Sequence, residues 1–102
     1  MPELETVKTN PLLYNEKAEL LKVLAHPVRL CIVRGLLSNE ECNVSHIQNC
    51  LEMPQSTISQ HLARLRSAGI IEGRRSGLEV FYRVINDDAR KIVEVLFDGI
   101  ED

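Results

Sequence analysis

Leu13, Lys17, Leu20, Leu21 and Leu24 recur at three- and four-residue intervals through an otherwise polar stretch. That spacing gathers side chains on one helical face and predicts an amphipathic helix from about Pro11 to Ala25. His26-Pro27 interrupts it, because proline disfavours helix at the residue before it and suits the first turn of a new helix. The segment PVRLCIVRGLL that follows is apolar nearly all round apart from Arg29 and Arg34, which predicts a second, central and mostly buried helix from Pro27 to about Leu37, with Cys31 a core thiol. Residues 38–43 are polar and read as a connection, and Asn43 is suited to cap a short third helix with Val44, Ile47 and Leu51 on one face. Glu52-Met53-Pro54 ends that helix and starts a fourth, which runs through QSTISQHLARLRSA and stops at Gly69, the residue type that best tolerates a left-handed cap.

Beyond Gly69 the period changes from helical to alternating. IIEGRR and LEVFYRVI flank Ser76-Gly77, two β-prone segments around a turn, with Val80 and Tyr82 facing one way and Phe81 and Arg83 the other. Asn86 can cap a last helix over residues 87–100, whose first turn carries Asp87 and Asp88 where the helix dipole favours negative charge. The reading is a mainly α fold with a small β-hairpin, in the order α-α-α-α-β-β-α. A short helix, a tight proline-containing turn, an amphipathic helix and then a hairpin make a winged helix-turn-helix.

A chain of 102 residues suits one domain, with residues 1–10 expected as a flexible arm. No apolar run reaches the roughly 18 residues that a membrane helix needs, and the polar, acidic N-terminus lacks the pattern of a secretory signal, so a cytoplasmic location is expected. Cys31, Cys42 and Cys50 are an odd set without a CxxC pair, which favours reduced thiols over a disulfide framework or a closed zinc site.

Net charge changes the picture once it is divided along the chain. The total is −3, yet residues 54–83 hold Arg64, Arg66, Arg74, Arg75 and Arg83 against Glu72 and Glu79, a local +3 that leaves −6 elsewhere. A basic surface on an acidic body meets a polyanion in one orientation only. On the fourth helix Ile58, Leu62 and Leu65 point toward a core, and the opposite face presents Ser56, Gln60, Ala63 and Arg64, with Thr57 and Ser59 beside them. A face of small and hydrogen-bonding groups without an acid can enter a major groove, where Gln and Arg read purine edges. Gln55, Ser56 and Thr57 stand at the helix N-terminus, where backbone N–H groups favour phosphate. The candidate DNA contacts are Gln55, Ser56, Thr57, Ser59, Gln60, His61 and Arg64 on the helix, with Gln60 and Arg64 as base readers, and Arg74, Arg75 and Ser76 on the wing.

LKVLAHPVRLCIVRGLL at 21–37 and MPQSTISQHLARLRSAGIIEGRRSGLEVFYRV at 53–84 closely resemble the ArsR/SmtB family of winged-helix repressors, with the likeness extending over residues 18–97. The resemblance implies an elongated homodimer joined through its first and last helices, paired recognition helices on an imperfect palindrome, and repression relieved by an inducer. The sequence supports such an interface, because Ile92, Val93, Leu96, Phe97 and Ile100 form a broader apolar stripe than a terminal helix of so small a body needs. Leu13 and Leu20 are the expected first-helix contributors, residues 11–25 and 87–100 being the dimerisation segments.

The inducer is not legible. Many family members bind metal through two third-helix cysteines, but the matching stretch here is Glu41-Cys42-Asn43-Val44-Ser45-His46-Ile47, and residues 86–102 contain no histidine, so neither family metal site is expected. No cofactor is expected either. The open alternatives are a thiol-responsive repressor using Cys42, in a connection expected to be exposed, with Cys50; a regulator without an inducer; and a winged-helix protein-interaction module that does not bind DNA. An enzyme is the least supported class, since there is no phosphate loop and no catalytic spacing of Ser, His and carboxylates.

Overall fold

A computed structural model of the chain describes residues 8–100. The expected flexible arm falls mostly outside them, and Lys8 and Thr9 are helical. The order is α1 (Pro11–Leu24), α2 (Pro27–Asn39), β1 (Cys42–Asn43), α3 (Val44–Leu51), α4 (Gln55–Ser67), β2 (Ile71–Ser76), β3 (Glu79–Val84) and α5 (Asp87–Leu96).

The punctuation expected from the sequence is made by identifiable atoms. His26 caps α2, its Nδ1 accepting from the Val28 N–H at 3.1 Å, with Pro27 in the first turn. Asn43 Oδ1 accepts from the His46 N–H at 2.8 Å and Asn86 Oδ1 from the Ala89 N–H at 2.8 Å, each satisfying a donor that a helix start leaves open. At the end of α4 the Gly69 N–H reaches the Arg66 carbonyl and the Ile70 N–H the Leu65 carbonyl, both at 3.0 Å, a Schellman motif that needs the left-handed φ of +74° at Gly69.

Helix α2 is central, packing on α1, α4, α5 and β3. Val23, Val33, Leu36, Ile58, Leu65, Ile70, Ile71 and Val93 are almost wholly inaccessible and join the elements into one core. Several expectations are corrected by it. On α1 the buried residues are Leu20, Val23 and Leu24, while Leu21 is exposed, so the inward face is rotated from the predicted one. Cys31 is exposed, because α2 buries only the Ile32, Val33 and Leu36 side of its apolar surface. The 38–43 connection contains a strand: β1 pairs antiparallel with β3, Cys42 opposite Tyr82 and Asn43 opposite Phe81, which makes a three-stranded sheet ordered β1-β3-β2 and buries Cys42. Helix α5 stops at Leu96 rather than 100, and Gly99 adopts a φ of +74° in the turn that follows. No helix among the described residues is long and apolar enough to cross a membrane.

The expected interface residues divide. Leu20 and Val93 lie in the protomer's own core, and Ile92 and Phe97 are half-buried against it. Leu13, Leu96 and Ile100 are exposed, together with Leu12, Leu21 and Val95, which were not among the expected interface residues. Helices α1 and α5 are neighbours, tied by Lys17 Nζ to Asp88 Oδ2 at 2.7 Å.

Candidate nucleic-acid interface

Helix α4 stands on Ile58, Leu62 and Leu65, all buried as their spacing predicts. That anchoring leaves Gln55, Ser56, Ser59, Gln60, Ala63 and Arg64 exposed, with Thr57 half-exposed. Pro54, at the cap position, has no side-chain acceptor, and its carbonyl takes the N–H groups of Thr57 and Ile58. The N–H groups of Gln55 and Ser56 therefore remain open at the positive end of the helix dipole. Arg66 lies seven residues, close to two turns, from Ser59 and so shares its side of the helix. The sequence reading counts Arg66 in the basic segment but not among the candidate contacts, although that spacing could have placed it there.

Two expected contacts have other work in the free protein. Arg64 Nη2 meets Glu19 Oε1 of α1 at 2.6 Å, and the guanidinium holds the Glu19 carboxyl below the usual carboxylate range. A base edge or phosphate must exchange with Glu19 to reach it. His61 turns away from the exposed face: its Nδ1 accepts from Arg29 Nε at 3.2 Å and its ring lies 4.6 Å from that of His26. In the free protein it packs on the start of α2 and is half-buried beside the exposed face.

The wing arginines separate by strand alternation. Arg74 is opposite Phe81 and Arg75 opposite Val80, so the two point to opposite faces of the hairpin. Arg74 is fastened to the body, its Nη2 2.7 Å from Glu41 Oε1 and its guanidinium carbon 5.5 Å from the Phe81 ring centroid. Arg75 lies on the face whose base, Ile71 and Val84, turns into the core. Among the described residues, Arg66 and Arg75 are the arginines of this region without a carboxylate partner. Ser76 is exposed at the end of β2.

This arrangement is found in known proteins. A model of the helix-turn-helix domain family matches residues 24–74. The chain is 42% identical over 81 residues to the transcriptional repressor PagR of Bacillus anthracis, 79% of this chain and 81% of PagR. It is 44% identical over 75 residues to the repressor SmtB of Mycobacterium tuberculosis, 74% of this chain and 55% of SmtB. The chain belongs to the ArsR/SmtB family. The crystal structure of PagR superposes on this ArsR/SmtB protein with a TM-score of 0.79 and 39% identity over 85% of this chain and 99% of the crystallised PagR chain. Reduced HlyU from Vibrio cholerae superposes with a TM-score of 0.82 and 31% identity over the full length of both chains.

The thiols of this family member surround one cavity of about 90 Å³ between α2 and α3, lined by Cys31, Cys42 and Cys50 with His46, whose Nε2 is 3.8 Å from Cys50 Sγ. Cys42 is the buried one, against expectation. Burial first, then Cys50 and Glu41, push its thiol above the usual value and favour the unreactive form. Iodoacetamide is expected to alkylate Cys31 and Cys50 well before Cys42, as peptide mass spectrometry can follow. Equal rates at the three would contradict the burial of Cys42.

Proposed function

We propose that the protein is a transcriptional repressor that binds double-stranded DNA as a homodimer, one α4 entering the major groove in each half of an imperfect palindrome. The observation that carries this reading is the exposed face of α4. On a chain with a net charge of −3, that face holds no acidic side chain and ends in open backbone N–H groups, and the unpaired cations Arg66 and Arg75 lie on α4 and the wing that follows it. The names of the relatives PagR and SmtB, both transcriptional repressors, agree with it. Gln60 is the base reader, its amide being able to give and take hydrogen bonds on one purine. Arg66 and Arg75 neutralise phosphates, and Arg64 joins them when it leaves Glu19.

The test is fluorescence anisotropy with duplex from upstream of the protein's own gene, across a salt series. Affinity should fall steeply with salt, each phosphate contact contributing about −0.9 to the logarithmic slope. Arg75→Ala should weaken binding about tenfold and flatten that slope by about one contact. Gln60→Ala should keep the slope and lose about 1–3 kcal/mol of preference for the specific site over random DNA. A wild-type protein that selects no duplex over random DNA, even from a random pool, would instead support the protein-interaction module.

A further inference from the structure

Among the described residues, the most exposed large apolar side chain is at the tip of the wing. Ser76 pairs with Glu79, which leaves Gly77-Leu78 as a two-residue hairpin turn. Gly77 has a φ of +64° and Leu78 is not among the positive-φ residues, the pattern of a type II′ turn. Leu78 is 102% exposed, as open as in an extended peptide, so its four carbons contribute nothing to the core.

The tip around it is arranged for a polyanion. Arg75, three residues back, has no carboxylate partner. Glu79, the acid nearest the tip, is drawn toward the body by Asn43 Nδ2, which donates to its Oε1 at 3.0 Å. Arg74 is held by Glu41 and Phe81, which secures the wing nearer its base and leaves the turn projecting. The result is one cation and one bare aliphatic side chain, with the nearest negative charge pulled back. Apolar wedges on cationic elements enter the minor groove, where they press on sugars and partly unstack a base step.

We infer that Leu78 is an apolar wedge for the DNA minor groove, guided there by Arg75 and favouring sites whose flanking step unstacks easily. This rests on the DNA-binding reading above. Because pyrimidine–purine steps deform most readily, such a wedge adds specificity outside the bases that α4 touches.

The experiment uses the full chain and a 30-base-pair duplex enriched by the wild-type protein from a random pool, with 2-aminopurine placed at successive positions flanking the palindrome. Wild-type protein should raise the fluorescence at one flanking step in each half-site, as unstacking does. Leu78→Ser should abolish that rise and weaken binding about five- to tenfold with the salt slope unchanged. Leu78→Met should retain both. Arg75→Ala should flatten the salt slope, which separates the wedge from its guide. If Leu78→Ser binds as tightly as wild type with the same fluorescence, the wedge is overturned and the DNA reading stands. If the wild-type protein enriches no duplex, both fall.

Discussion

Replacing Leu21 and Leu96 together by glutamate is expected to give monomers of 11.6 kDa that keep their helical content and lose most of their DNA affinity. Both side chains are more than half exposed, 54% and 55%, so the substitutions remove little from the protomer core, and surface changes of this kind shift stability by only about 0.5 kcal/mol. They lie on α1 and α5, neighbouring helices that also expose Leu12 and Val95 at 73% and 75%. In the proposed homodimer these large apolar side chains on two adjacent helices supply the face that the second copy covers. A second copy is the occupant that a palindromic site requires, since two-fold protein symmetry matches two-fold DNA symmetry. Four new carboxylates at such an interface would be desolvated without partners. Losing the second half-site removes the effective-concentration gain of bivalent binding, about 10²–10⁴-fold. Analytical ultracentrifugation, circular dichroism and anisotropy on the same samples make the test. A double variant that still sediments as a dimer would place the interface elsewhere.

How much of this was legible in the sequence depends on the length scale of each interaction. Helix positions followed from periodicity, and their ends from Pro27, Pro54 and Gly69, because these are local constraints acting within a turn or two. The inward set on α4, Ile58, Leu62 and Leu65, came out as expected for the same reason. On α1 the same periodicity chose the wrong edge of the stripe. A row of leucines can satisfy either the core or an interface, and only the packing of α2 shows that Val23 faces inward and Leu21 outward. Strand β1 could not be read from a pattern, since two residues have no period. Its pairing with β3, forty residues away, is what buries Cys42.

For the candidate site, the sequence offers a set of residues, and the structure adds the partners that they hold in the free protein. Sequence placed Arg64 and Arg74 near DNA, and their ion pairs with Glu19 and Glu41 span 45 and 33 positions. Strand alternation alone could have separated Arg74 from Arg75, but the carboxylate waiting for Arg74 is a tertiary fact. His61 was expected on the reading surface because it lies within α4, and only the tertiary packing shows that its ring meets Arg29 and His26 at the start of α2.

Those partners set the second large effect. Acidification below pH 6.5 is expected to destabilise the protein at the joint between α4 and the start of α2, and Arg29→Ala is expected to cost about 1–3 kcal/mol at neutral pH while flattening that acid dependence. His26 Nδ1 accepts from the Val28 N–H, His61 Nδ1 accepts from Arg29 Nε, and Arg29 Nη1 donates to the Val23 carbonyl at 3.2 Å, so one guanidinium links α1, α2 and α4. Both rings serve as acceptors at Nδ1, which requires the neutral form. Burial first, then His26 and Arg29, lower the His61 pKa from 6.5, and no carboxylate is among the groups acting on it. A lowered histidine pKa means that the unfolded chain binds the proton more readily. Stability is then complete above 6.5, falls as the pH drops below it, and levels off once the folded form is protonated too. Arg29→Ala strands the His61 acceptor and the Val23 carbonyl, which lowers stability, but it also removes a repelling charge, which moves the His61 pKa back toward 6.5. Urea midpoints measured from pH 8 to 5 for wild type and variant check both signs. A variant that loses stability and keeps the full acid slope would show that Arg29 acts only as a tether, and a wild type without an acid slope would show that the His61 contact does not depend on a neutral ring.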